Sequence, residues 1–149
     1  MNSDLRRGAR ESMPTARQSP LGSLAVLLLI YAVASLVHFV HNAEFVVDYP
    51  NMPAWWSRAD VYLAWLGMTA VGVCGWFLLV RGLPRAGLLC LAVYAALGLE
   101  SLGHYVLAPM SSHTIAMNAT ILAEVTAAAV LLVEVVRRLA PWAWRLTGS

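Results

Sequence analysis

A chain of 149 residues with 60% hydrophobic side chains and only 12% charged ones is too apolar for an ordinary water-soluble domain and short enough for a single one. Its formal charge of +2 includes ten basic residues, all Arg, with no interleaved basic and aromatic pattern, which argues against nucleic-acid binding.

Residues 1–20 are polar, contain Arg6, Arg7, Arg10, Arg17, Pro14 and Pro20, and read as a flexible N-terminal arm. Beyond them come four apolar runs, residues 21–47, 59–80, 86–107 and 114–136. Each is long enough to cross a hydrocarbon core of about 30 Å, which takes about 20 helical residues. Strands of a membrane barrel would alternate apolar and polar positions, and Leu24-Ala25-Val26-Leu27-Leu28-Leu29-Ile30 does not. The expected fold is all-α: an integral membrane, up-and-down four-helix bundle over residues 21–139 with a tail over 140–149. Residues 24–34 imitate a signal-peptide core and cleavage site. The apolar stretch continues through Val47 without a polar break, which argues against cleavage.

The first connection holds Pro50 and Pro53, which oppose helix continuation, and Tyr49, Trp55 and Trp56, which suit a headgroup layer. A second reading makes this segment a lid. Gly82-Leu83-Pro84 and Pro109-Met110-Ser111-Ser112 predict short turns between antiparallel neighbours. Gly67, Gly72, Gly75, Ala95, Gly98, Gly103, Ala123 and Ala127 predict close helix packing. Cys74 and Cys90 lie in separate spans and define no disulfide framework. Arg residues cluster before the first span, between the second and third, and after the fourth, leaving Arg58 alone on the other side. Basic residues in short loops favour the cytoplasmic face, so both termini are expected there. The Arg-only composition and compact length fit a bacterial inner membrane.

All four histidines, His38, His41, His104 and His113, sit toward one end of the runs, with Glu44, Glu100, Asn118 and Glu124 at similar depth. Ionisable groups in hydrocarbon cost roughly 2.5–3.5 kcal/mol each on insertion scales, so a cluster of them marks a functional site. His41, Glu44 and Asp48 follow an i, i+3, i+7 stripe with His38 one turn deeper. Glu100 and His104, one turn apart, are placed to hydrogen-bond to each other. Asp48, Asp60 and His113 also read as wet outer-surface residues, and Glu134 as an interfacial partner of Arg137 and Arg138.

Three chemistries fit these parts. Acid–base work on a lipophilic ligand needs a carboxyl and a nearby imidazole in an apolar cavity. Metal binding would use His38, His41, Glu100, His104 and Glu124 for iron, copper or zinc, in oxidative chemistry or metal handling. Proton or ion passage would use the same groups. A haem held by His38 or His41 with His104 ranks below these. An accessory subunit of a membrane complex, or a homo-oligomer, stays open.

The arrangement resembles the emopamil-binding or EXPERA superfamily over roughly residues 35–138. His41 and Glu44 match a His and a Glu on one helix of its sterol isomerases, spaced one residue closer here. Asp60 takes the place of a family Glu, and Met117-Asn118-Ala119 matches a segment whose Asn lines the ligand pocket. Ile121 stands where those isomerases place a Trp, and the last connection is shorter. The resemblance implies a small lipophilic ligand and, in its fullest form, an isomerase that protonates an alkene and removes a different proton. The lipophilic-ligand reading makes His41, Glu44 and Asp60 the acid–base group and Asn118, Glu124 and Trp65 the residues that would meet the ligand, with no cofactor required. The resemblance gives no role to Glu100, His104 or Glu124; Glu100 with His104 would form a second polar pair.

Overall fold

The structure is a computed structural model that describes residues 20–147; residues 1–19 of the expected arm and 148–149 of the tail lie outside the described residues. Its helices are α1 (Pro20–Glu44), α2 (Arg58–Val80), α3 (Pro84–Leu99), the short α4 (Gly103–Leu107) and α5 (Ile115–Thr147). Four stretches are long and apolar enough to cross a membrane, with α3 and α4 together making the third. Their outward faces carry Leu29, Leu63, Val73, Leu89 and Val133, all more than half exposed. That surface suits lipid rather than water. The chain is an all-α four-helix membrane bundle in which α1 packs on α2 and α5, and α3 packs on α2 and α5.

Small residues set the helix spacing. A Cβ at Gly72 would lie 2.7 Å from the Tyr94 ring, and one at Gly87 would lie 2.8 Å from the backbone of Gly75 and Leu79. Gly98 lets the Tyr31 hydroxyl sit against the α3 backbone. The fully buried Tyr31 then donates to the Tyr94 carbonyl at 3.1 Å, with the two rings 4.5 Å apart. Gly67 and Gly103 depart from the expected packing role, since a Cβ at either would meet nothing within 4 Å.

The turn after α2 follows from its residues. Leu83 N–H reaches back to Leu78 O at 3.0 Å and Gly82 adopts φ 80°, a Schellman closure, after which Pro84 opens α3. At the other end of the bundle, Ser57 and Asp60 form a reciprocal capping box that starts α2. Near the α2–α3 turn's level, Arg138 pairs with Glu134 at 2.6 Å and donates to Ser23 at 3.0 Å, tying α5 to the first turns of α1.

Three boundaries differ from the sequence expectation. Helix α1 stops at Glu44, so Asp48 falls in a 3-10 turn, Val46–Asp48, rather than on the His41 stripe. Pro50 disfavours helical backbone at the residue before it, and Tyr49 is extended at φ −72°, ψ 126°. The third span breaks at a 3-10 turn, Glu100–Leu102, where Gly98 and Gly103 lower helix propensity and the Ser101 side chain bonds to α5. Helix α5 runs to Thr147, through most of the stretch expected as a tail.

Candidate functional site

Extended backbone at Tyr49 turns its ring back beneath the end of α1, where it is 3% exposed. This residue, assigned to the headgroup layer by its position and ring, is the hub of the polar end. Its hydroxyl shares a 3.0 Å hydrogen bond with His41 Nδ1, and its ring lies 4.8 Å from His104 and 6.3 Å from His113. His104 in turn lies 5.5 Å from His38. All four histidines thus form one connected cluster around a buried phenol, closed from below by Met117 and Ile121. Ile121 is an aliphatic seat for the Tyr49 ring.

His113 is buried rather than wet. Its Nδ1 donates to the Pro109 carbonyl at 3.1 Å, and its Nε2 has no hydrogen-bond partner. Burial pushes the Tyr49 phenol up to about 12, opposed in part by the facing Thr120 hydroxyl. The sign follows directly. A folded-state value above the unfolded one gives stability that is complete below about pH 10 and is lost as pH rises toward about 12, at most about 2–3 kcal/mol. Phenolate absorbance in wild type minus Tyr49→Phe should therefore show Tyr49 ionising near pH 12; a difference titration near pH 10 would place the ring in water.

Behind this cluster, Glu124 on α5 is wholly buried. Its Oε2 accepts from Ser101 Oγ at 2.6 Å and lies 3.7 Å from His38 Nε2. Ser35 faces the same carboxyl without hydrogen-bond geometry, and Glu124 Oε1 has no partner. His38 Nδ1 lies 3.3 Å from Thr120 Oγ1, while that hydroxyl donates to the Met117 carbonyl at 3.1 Å.

In front of His38 and His104 lies a cleft of about 870 Å³ between α1, α2 and the α3–α4 segment. Phe39, Met68, Val71, Leu97 and Val106 make most of its wall, and Met52 and Trp56 of the first connection border it. Asn51, at φ 58°, ties that connection to the end of α4 through a 2.8 Å bond to the Leu107 carbonyl. The polar lining consists of His38, Asn42, Glu100, Ser101 and His104. Asn42 Nδ2 donates to His104 Nε2 at 3.3 Å, and its Oδ1 is buried without a partner. Asn42, beside the expected stripe and given no role there, is the residue that the pattern missed.

The residues expected to act together are divided. His38, Glu100 and His104 line the cleft, and Glu124 stands directly behind His38. His41 lies on the far side of α1, half buried against Tyr49 and Phe45. Glu44 ends α1 in solvent reach, pairing with Arg58 at 3.2 Å and accepting from Tyr62 at 2.9 Å. Asp60 is occupied in the α2 cap, where it accepts from the Ser57 backbone and hydroxyl. His41, Glu44 and Asp60 are therefore not gathered around the cleft. Asn118 spends its amide on the carbonyls of Met110 and His113 and accepts from Tyr105, which secures the α4–α5 connection. Trp65 packs on the core, and its buried Nε1 has no partner. Glu100 sits exposed in the 3-10 turn, while His104 pairs with Asn42. Among the described residues, no three His, Cys, Asp or Glu side chains are grouped to hold a metal ion, so the set His38, His41, Glu100, His104 and Glu124 is not one ligand shell. None of the protein-family models, curated proteins or solved structures compared with this chain matches it.

Proposed function

We propose that the cleft binds a small lipophilic molecule whose polar end carries a hydrogen-bond donor such as a hydroxyl, and that His38 and His104 perform acid–base chemistry on it, with Glu124 exchanging protons through His38. One observation carries the reading: an apolar cleft lined beside two imidazoles by Asn42, whose Oδ1 is buried and unpartnered. Ligand pockets typically measure about 300–1,000 Å³ and combine apolar walls with a few convergent polar groups. A buried acceptor left without a partner costs about 1–3 kcal/mol, which a donor on the ligand would recover once Asn42 turns that oxygen into the cleft. Resemblance to the sterol isomerases supports the ligand type. The Arg distribution supports cytoplasmic termini in a bacterial inner membrane, which puts the histidine end in the opposite leaflet.

Gly67 makes the proposal testable without disturbing the fold. It lines the cleft, and a Cβ there meets no neighbouring atom within 4 Å. Gly67→Phe should fill the site and abolish binding of a fluorescent lipophilic alcohol such as 1-pyrenebutanol, while the helix content and melting temperature stay at or above wild type. Asn42→Leu should instead remove only the preference for the alcohol over 1-butylpyrene, by about fivefold, the worth of one hydrogen bond near 1 kcal/mol. Unchanged alcohol affinity in both variants would remove the cleft as the binding site.

A further inference from the structure

Polar groups line up between His41 and Glu124 in a path that the ligand-binding reading does not by itself require. His41 is half buried at the end of α1 and bonds to the Tyr49 hydroxyl. That hydroxyl faces Thr120 without hydrogen-bond geometry, and Thr120 Oγ1 lies 3.3 Å from His38 Nδ1. His38 Nε2 faces Glu124 Oε2 at 3.7 Å, and Ser101 donates to the same oxygen. The groups belong to α1, the first connection, the α3–α4 turn and α5, so no single local motif explains their alignment. Glu124 is fully buried and does not border the cleft.

We infer that His41, Tyr49, Thr120 and His38 form a proton relay that connects the solvent-facing side of His41 to Glu124. The inference deepens the acid–base reading of the cleft by giving its buried carboxyl a supply of protons that a bound lipophilic molecule would not block. Each hop breaks one N–H or O–H bond and makes another. His41 takes a proton on Nε2 and passes one from Nδ1 to the Tyr49 oxygen; Tyr49 passes its own to Thr120 Oγ1. Thr120 passes one to His38 Nδ1, and His38 passes one from Nε2 to the Glu124 carboxylate. One proton moves, no electron moves, and the reverse sequence resets the chain. Three adjustments are needed. The Thr120 hydroxyl must swing off the Met117 carbonyl that it bonds in the resting structure, Tyr49 and Thr120 must come into hydrogen-bond geometry, and the 3.7 Å gap to Glu124 must close to hydrogen-bond reach. The other ionisable groups facing this path are His104, His113 and Tyr105 around Tyr49, and Tyr31 and Tyr94 toward Glu124.

The test contains no ligand, so it can fail while binding stands, and binding can fail while it succeeds. The full chain in lipid nanodiscs is given a light-triggered proton jump, and the carboxyl C=O stretch of Glu124, identified by its loss in Glu124→Gln, is followed by time-resolved infrared spectroscopy. Tyr49→Phe and Thr120→Val should each slow Glu124 protonation by about tenfold or more, equivalent to a barrier rise near 1.4 kcal/mol, while Glu44→Gln leaves it unchanged. Thr120→Val is close to isosteric and carries the test if Tyr49→Phe folds poorly. Wild-type rates in both relay variants would show that protons reach Glu124 through the cleft and overturn the inference. A Glu124 band that never responds to pH would overturn it equally.

Discussion

Truncating Tyr31 to Ala should lower the stability of the purified bundle by about 3–5 kcal/mol, among the largest losses available to a single side chain here. The ring is fully buried at the middle of the bundle, against Met68 of α2 and against Tyr94 and Gly98 of α3. In lipid the helices gain little from hiding apolar surface, because acyl chains are as apolar as Leu, so shape matching and buried hydrogen bonds carry more of the association. The Tyr31 hydroxyl occupies the space that a Cβ at Gly98 would take. Tyr31→Phe isolates the hydroxyl, whose bond to the Tyr94 carbonyl should be worth about 1 kcal/mol. Thermal or denaturant unfolding in micelles, followed by circular dichroism, measures both. A Tyr31→Ala variant within 1 kcal/mol of wild type would mean that the α1–α3 contact contributes little to the fold.

The four spans were legible because their length and continuous apolarity admit no other membrane structure, and the Pro and Gly residues placed the turns within a few residues. The same continuous apolarity hid the rotation of each helix. Spans that are apolar nearly all round give no phase, so nothing in the pattern distinguished Asn42, which faces the cleft, from His41 one residue earlier, which faces away. Depth failed for a related reason. The apolar run continues through Val47, yet the chain leaves the helix at Glu44, and a carboxylate that looked intramembrane instead meets Arg58 at the surface. Two signals were available and unused. Ser57-Arg58-Ala59-Asp60 is a capping-box spacing, which accounts for Asp60 without chemistry. Tyr49 precedes Pro50, and the extended backbone this favours is what folds an interfacial-looking tyrosine inward. Glu124 was marked as a buried acid by its position in the middle of an apolar helix, and its burial is complete.

Replacing Glu124 with Leu should leave the bundle as stable as wild type or more stable by about 1–2 kcal/mol, while removing proton exchange at the site. The expectation rests on what the carboxyl gives and what it costs. It holds one short bond from Ser101 and a loose 3.7 Å contact with His38, and its second oxygen has no partner. A carboxyl buried on those terms costs more in lost hydration than it regains, whereas Leu fits an apolar interior of similar volume. The groups left behind are not stranded, because Ser101 can turn its hydroxyl to a carbonyl of the preceding turn and His38 keeps Thr120. Glu124→Ala differs, since it adds a cavity to the same loss and should be destabilising by about 2 kcal/mol or more. A residue whose apolar replacement stabilises the fold is retained for what it does rather than for what it holds together. Should Glu124→Leu instead unfold as readily as Glu124→Ala, the carboxyl is a structural tie between α5, α1 and Ser101. The chemistry assigned to the cleft would then have to rest on His38 and His104 alone.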